Sequence, residues 1–247
     1  MAIGNFANCN RFTRAREGGD VNDPRDPGGL TSRGVTAAAG AEYRRKRGLA
    51  FKAVTAWSEA EVSDFYRAAY WGPAGCEHMV LGVDLAVYDG GVNSGVSRSL
   101  GWYRSIPAAL DPVPFIKALC AKRLGFLHAL KTWKHFGKGW GARVAMVEAT
   151  AVGMFLVGTK APNAKAALLA EADDAHKDAV NGAKGAAVTG GGATASPFVL
   201  PTDHLGLWIV GAVAVVGLGF AVWLVIRAAN HNARADAYRT IASGVRS

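Results

Sequence analysis

The chain has 247 residues, enough for one or two domains with a hydrophobic core. Half of its residues are apolar and 19% are charged, which excludes a globally disordered protein. The formal net charge of +9 favours an anionic partner such as nucleic acid, anionic lipid or a cell-wall polymer. The basic residues are not interleaved with stacking aromatic residues, which argues against a nucleic-acid groove.

The N-terminal region predicts one helix followed by a turn-rich stretch. Residues 3–17 predict the helix, which ends at Gly18 and Gly19. Residues 16–36 read REGGDVNDPRDPGGLTSRGVT and combine two Pro and five Gly with several acidic residues. Because Pro and Gly at this density disfavour a regular helix or a central strand, we expect a small hairpin that displays the carboxylates. No apolar stretch of a standard secretory signal precedes it.

Helices are predicted for most of the region that follows. Ser58 and Glu61 form a capping box, and apolar residues recur at helical spacing from residue 113 onward. Glycines at 137, 139 and 141 predict a break between two helices. Three cysteines without paired spacing give neither a zinc site nor a disulfide framework, and predict buried thiols. The predicted helices cover 36–48, 58–71, 79–92, 113–135, 142–156 and 161–180.

The C-terminal quarter predicts a membrane anchor. Residues 182–204 are rich in Gly, Ala and Pro and predict a flexible linker. Leu205 to Ile226 contain no charge and are long enough to span a bilayer. A buried core helix is the alternative, although it would normally keep a polar face. Residues 227–247 form a basic tail, which the positive-inside rule assigns to the cytoplasm, with the N-terminal region on the other side.

Glu17, Asp26 and Thr31 carry the chemistry that the turn-rich stretch suggests. A carboxylate at the C-terminal end of a helix meets the negative end of the dipole, which favours the protonated form that a general acid needs. Asp26 would activate water or stabilise an oxocarbenium-like centre, and Thr31 would position the water. These parts suit glycoside hydrolysis. Alternatively, Asp26 is a turn residue before Pro27 and Thr31 is an ordinary strand residue.

The same stretch resembles a known family. EGGDVNDPRDPGGLTSRGVT is similar to the signature EGGY-(V/S)-NDP-x-DPGG-x-T-x-x-GIT of glycoside hydrolase family 108, phage and bacterial peptidoglycan muramidases that include secretion activators. FYRAAYW, residues 65–71, resembles the IYR-x-x-YW helix of that family, and VDLAVYDGGVNSG, residues 83–95, resembles its VFD-x-x-VNSG helix. RLGFLHALKTWKHFGKGWGARV, residues 123–144, resembles the peptidoglycan-binding tail with R-x-x-F and F-x-x-GW-x-x-RV.

This resemblance implies a fold and a division of the chain. The fold is expected to be mainly α, lysozyme-like α+β with a small hairpin after the first helix, plus one C-terminal transmembrane helix. The expected segments are a catalytic domain at 1–110, a helical peptidoglycan-binding part at 111–181, the linker at 182–204, the membrane helix at 205–226 and the tail at 227–247.

The resemblance also implies site residues. Glu17 corresponds to the catalytic acid. Asp26 and Thr31 resemble the second carboxylate and the hydroxyl of some phage lysozymes, although the spacing between them is one residue shorter. Asp20 stands where the family usually has Tyr; it is expected to bind substrate and is the second choice for the carboxylate.

Further residues are expected near the substrate. Asp89 and Asn93 lie one helical turn apart, and Trp71 and Trp140 could stack on sugar rings. Each of the four has an ordinary packing role as its alternative. The scattered histidines match no metal-binding motif, so neither a metal nor another cofactor is implied.

The sequence therefore predicts a membrane-tethered N-acetylmuramidase that cleaves the β-1,4 bond between N-acetylmuramic acid and N-acetylglucosamine. Its expected partners are peptidoglycan, the membrane through 205–226, and a holin or secretion machinery, without nucleic acid. Its expected place is the periplasmic or wall side, for lysis or wall remodelling. Two rival hypotheses are an inactive wall-binding or secretion-scaffold protein and a holin-like membrane protein.

Overall fold

A computed structural model describes residues 3–17, 30–191 and 204–245 of the chain. For residues 182, 185–191 and 204–223 it describes the backbone alone. The described elements are helices and one two-stranded hairpin, so the predicted mainly α class with a small hairpin is confirmed.

The N-terminal elements surround the predicted hairpin. Helix α1 spans Phe6–Arg14, strand β1 spans Thr31–Ser32 and strand β2 spans Val35–Thr36. The strands pair antiparallel, with Thr31 opposite Thr36. Arg33 and Gly34 form the turn with φ values of 49° and 78°, both in the left-handed region that tight hairpin turns require. The Thr36 hydroxyl then accepts the Ala39 N–H at 3.2 Å and caps the next helix.

The following helices begin where the sequence signals predict. Helix α2 spans Ala37–Lys46, and α3 spans Glu59–Tyr66 with the Ser58 and Glu61 capping box formed. A π-helical turn, Arg67–Trp71, continues α3 into the short helix α4, Gly72–Ala74.

A central buried helix organises the core. Helix α5 spans Val83–Ser94, and nine of its residues are buried, because neighbouring helices cover it on several sides. One hydrophobic core includes residues from both sides of the predicted boundary at 110/111, so the segments 1–110 and 111–181 pack as one body. Cys9, Cys76 and Cys120 are buried free thiols. The helices around α5 are α6, Val96–Arg104, α7, Pro112–His128, and α8, Trp133–Gly158.

The predicted break at residues 137–141 is wrong, because α8 runs through all three glycines. Two of them lie where an added Cβ would meet a neighbouring side chain. A Cβ at Gly137 would sit 2.4 Å from the Trp133 ring, and one at Gly141 would sit 2.5 Å from Asn230 Oδ1. These glycines therefore permit close packing, which offsets their cost in a helix. The predicted helix 113–135 correspondingly ends at His128.

Two long helices complete the described chain. Helix α9 spans Ala164–Gly191 and α10 spans His204–Gly244, and they pack along each other. The predicted linker therefore begins too early, since residues 182–191 are helical. The backbone of residues 205–226 is helical within α10, but most of that segment's side chains lie outside the description. By composition, the described helix that could cross a membrane is α8, and half of its most apolar part is buried in the core.

The basic C-terminal segment is part of α10 and packs on the protein, which corrects its prediction as a separate tail. Arg234 donates to Glu148 Oε1 of α8 through Nη2 at 2.7 Å and Nε at 3.0 Å. Tyr238 Oη donates to the same oxygen at 3.0 Å. Asn230 Nδ2 lies 2.9 Å from His128 Nε2 of α7. We call Glu148, Arg234 and Tyr238 the tail cluster.

Candidate active site

Glu17 lies in the turn that follows α1, next to the hairpin. Its N–H donates to Arg14 O at 3.2 Å, and its side chain is 23% exposed. Gly34 of the hairpin turn lies against it, because a Cβ there would sit 3.7 Å from Glu17 Cβ and 2.2 Å from Tyr66 Oη. Tyr66 Oη donates to Arg33 O at 3.2 Å and fixes the turn. Burial, and then the nearby Glu17 carboxylate, raise the pKa of Tyr66.

Arg143 joins Glu17 to the core. This residue of α8 donates from Nη2 to Glu17 Oε1 at 2.6 Å and to Asp89 Oδ2 at 3.0 Å, and from Nε to Asp89 Oδ1 at 3.1 Å. Its guanidinium is therefore held by α5 while it orients the carboxylate beyond α1. Arginine suits this position because its planar fork can satisfy two carboxylates at once.

Asp89 is fully buried beneath this contact. Arg123 of α7 donates to Asp89 Oδ1 at 2.6 Å through Nη1, and to Asn93 Oδ1 at 3.0 Å through Nη2. Burial alone would raise the pKa of Asp89, but Arg123 and Arg143 together lower it below its usual value. Asp89 is therefore an anion that two guanidinium groups hold in place. We call Glu17, Arg143, Asp89 and Arg123 the cleft cluster.

An open pocket lies beside the cleft cluster. Its volume is about 560 Å³. Arg16 and Asn93 line one part of it, and Phe136, Trp140 and Arg143 of α8 line another. The Phe136 and Trp140 ring centroids are 5.6 Å apart. A partly exposed carboxylate paired with an arginine that lines a pocket with aromatic walls is an arrangement suited to acid catalysis on a polar, ring-containing substrate.

Comparisons with known proteins identify the family of the chain. The model of the family described as Glycosyl hydrolase 108 matches residues 10–95. The solved structure of Brucella abortus SagA is 30% identical, with a TM-score of 0.52, and the match covers 62% of this chain and 96% of that chain. The chain belongs to the glycosyl hydrolase 108 family. It is a glycoside hydrolase. A search of curated proteins found no match.

The structure brings some of the predicted site residues of this family 108 hydrolase together. Glu17 and Asp89 are joined through Arg143, while Asn93 and Trp140 line the pocket. Thr31 lies in β1, in the hairpin next to Glu17. Asp20 and Asp26 lie outside the described residues.

Two predicted substrate-binding residues have other positions. Trp71 is only 2% exposed, packs against Phe6 and Tyr88, and donates to Glu77 Oε2 at 2.8 Å. A sugar ring cannot reach it, so its predicted stacking role is wrong. Asp89 has no exposed surface and acts on Arg143 instead of on a ligand.

Four residues of the site were not predicted: Arg16, Arg123, Phe136 and Arg143. Three of them lie in the stretch 123–144, which the family resemblance assigned to wall binding as a separate part. The sequence shows these residues as charged and aromatic positions within an apolar helical pattern. Their role could not be read from it, because Arg143 and Glu17 are 126 positions apart in sequence.

Proposed function

We propose that the protein hydrolyses the β-1,4 bond between N-acetylmuramic acid and N-acetylglucosamine in peptidoglycan, with Glu17 as the general acid. The observation that carries this proposal is the partly exposed Glu17 carboxyl, whose Oε1 is held by Arg143, a residue that lines the pocket. Membership of family 108 supports the substrate class.

The contact with Arg143 suits both stages of proton donation. Because Arg143 donates to Oε1, the transferable proton would reside on Oε2. When Glu17 gives this proton to the leaving glycosidic oxygen, it becomes an anion, and the guanidinium stabilises that anion. Asp26, or Asp20 as second choice, would supply the other carboxylate, and Thr31 would orient water.

A direct test uses the full chain on purified peptidoglycan, with Glu17→Gln as the variant and Glu42→Gln as the control. Glu42 is a surface residue of α2 that pairs with Arg45. Released fragments are reduced with borohydride and identified by mass spectrometry. We expect reduced muramic acid ends from the wild type and from the control, and none from the Glu17 variant. Intact wall that still captures the wild-type protein would favour the inactive wall-binding hypothesis instead.

We further propose that residues 205–226 hold the enzyme at the membrane on the wall side. The uncharged sequence of this segment supports membrane insertion. The tail cluster supports an arrangement in which the C-terminal segment and the hydrolase region share one side. A bilayer between Arg234 and Glu148 would break their ion pair. The proposed arrangement therefore differs from the single-pass arrangement that the charge distribution predicts, in which the tail lies in the cytoplasm and the hydrolase region lies on the wall side.

Protease added to intact spheroplasts tests the arrangement. A C-terminal tag and the hydrolase region should both be cleaved if they share the wall side. A protected tag with a cleaved hydrolase region would establish the single-pass arrangement, in which the tail cluster cannot form.

A further inference from the structure

Arg16, the residue before Glu17, is a half-buried cation that lines the pocket. Its Nη1 donates to Phe12 O at 2.8 Å, and its Cζ lies 3.6 Å from the centroid of the Phe12 ring. These contacts fix the guanidinium at the pocket wall. Burial lowers the pKa of Arg16, and the nearby Arg143 lowers it further, against the opposing effect of Asp89.

Arg16 differs from the other arginines around the site. Arg14 pairs with Glu59, Arg123 pairs with Asp89, and Arg143 pairs with both Asp89 and Glu17. Among the described residues, no carboxylate lies within ion-pair distance of Arg16. A cation that is partly withdrawn from water is stabilised by an opposite charge, so a carboxylate supplied by a ligand would complete this position.

Another part of the pocket wall is aromatic. Phe136 is 56% exposed at its rim, and Trp140 lies one helical turn further along α8, half-buried against Trp133. An exposed phenyl ring beside an indole, with the two ring planes tilted by 34°, gives an apolar surface of the kind that marks a binding site. The C–H face of a sugar ring fits such a surface.

We propose that this pocket binds the muramyl unit of the glycan, with its ring against Phe136 and Trp140 and a carboxylate carried on its lactyl ether paired with Arg16. This inference rests on the proposed function and adds a specificity-determining residue to it. The pocket volume of about 560 Å³ lies within the range of ordinary ligand sites.

The charge of Arg16 distinguishes the two sugars that alternate along the glycan. N-acetylglucosamine carries no charge, whereas the muramyl unit carries a carboxylate through its lactyl group. A single cation next to Glu17 therefore selects the register of the strand, and with it the bond that meets the acid. The carboxylate has two sources: the free lactyl group in peptide-free strands, or the peptide stem attached to it in intact wall.

Binding to the full-length Glu17→Gln protein tests the inference without hydrolysis. The probes are peptide-free glycan oligomers, muropeptide oligomers and chito-oligosaccharides of equal length, titrated by calorimetry. We expect a second substitution, Arg16→Gln, to weaken binding of at least one carboxylate-bearing probe by about tenfold and to leave the chito-oligosaccharides unchanged. Arg16→Lys should restore part of the loss, and Arg11→Gln on the exposed face of α1 should change nothing.

The loss of affinity for each probe shows which carboxylate pairs with Arg16 and whether the assignment of Arg16 holds. An effect on the peptide-free probe identifies the lactyl carboxylate, and an effect on the muropeptide alone identifies the stem. An equal loss for all three probes, or no loss for any, would overturn the assignment of Arg16. Phe136→Ala should weaken all three probes, since it removes a wall and not a charge. If wild-type protein cleaves no wall but Arg16 still discriminates between the probes, the proposed hydrolysis fails and this site remains.

Discussion

Helix α8 carries two clusters of arginine and carboxylate that look alike in composition and differ in exposure. In the cleft cluster, Arg143 of α8 binds Asp89 and Glu17, and the Glu17 side chain is 23% exposed. In the tail cluster, Glu148 of α8 binds Arg234 and Tyr238, and the Glu148 side chain is 4% exposed. Both clusters join distant parts of the chain, and residues of each line a pocket, but only the first holds a carboxylate with appreciable exposure to solvent.

The buried carboxylates of these two clusters, Asp89 and Glu148, also differ in the direction of their pKa shifts. Asp89 has two guanidinium partners, which lower its pKa despite complete burial. Burial raises the pKa of Glu148, and Arg234 with Tyr238 only partly oppose this. A buried ion pair is therefore not in itself a sign of catalysis. In this molecule, function is indicated by the carboxylate that combines a fixed cation with access to solvent.

Removal of Arg143 should have the largest effect, because the acid would lose its orientation. We expect Arg143→Met to reduce kcat/KM on glycan strands by about 100-fold, since a small displacement of a catalytic group has this cost. Arg234→Met is the matched control from the tail cluster, and its kcat/KM should stay within a few-fold of wild type. Equal losses in both variants would show that the clusters have the same role.

Asp89→Asn should lower stability and activity together. The change leaves Arg123 without its buried counter-ion, and breaking such a pair costs roughly 3–5 kcal/mol of unfolding free energy. Urea unfolding followed by circular dichroism measures this cost. The pKa of Asp89 is lower in the folded protein than in the unfolded chain. The ionised Asp89 therefore adds to the unfolding free energy at pH values above its unfolded pKa, and this contribution is lost as the pH falls through its folded pKa. The unfolding free energy of the variant should therefore fall less steeply at acid pH than that of the wild type.

Glu148→Gln should affect stability alone, with the opposite pH dependence. The folded pKa of Glu148 is raised above 4.5, so the folded protein binds this proton more tightly than the unfolded chain. Wild-type stability should therefore fall as the pH rises from 4.5 through the folded pKa. The Gln variant should show a flatter curve over that interval and unchanged kcat/KM. A loss of activity at constant fold would connect the tail cluster to catalysis.

Local patterns predicted those parts of the fold that depend on neighbouring residues. The hairpin at residues 31–36 and the capping box at Ser58 follow from short-range chemistry, whereas the first helix was predicted to reach Glu17 and ends at Arg14. The partners of Glu17 do not follow from short-range chemistry, because Arg143 reaches Glu17 only when α8 packs beside α1 and α5. The same limit explains why stretch 123–144 was assigned to a separate binding part, although its residues complete the site.

The glycines of α8 give the smallest predicted effect and the clearest test of why the helix was predicted to break. Gly139 has open space where a Cβ would be, so Gly139→Ala should stabilise the protein by about 0.5–1 kcal/mol through helix propensity. Gly137→Ala should instead destabilise it, because the added Cβ meets the Trp133 ring. At Gly141 the neighbour is the end of the Asn230 side chain, which can move, so the cost there should be smaller than at Gly137. Thermal unfolding of the three variants measures the order. If all three alanines stabilised the protein, close packing would not explain these glycines, and their presence in a continuous helix would need another cause.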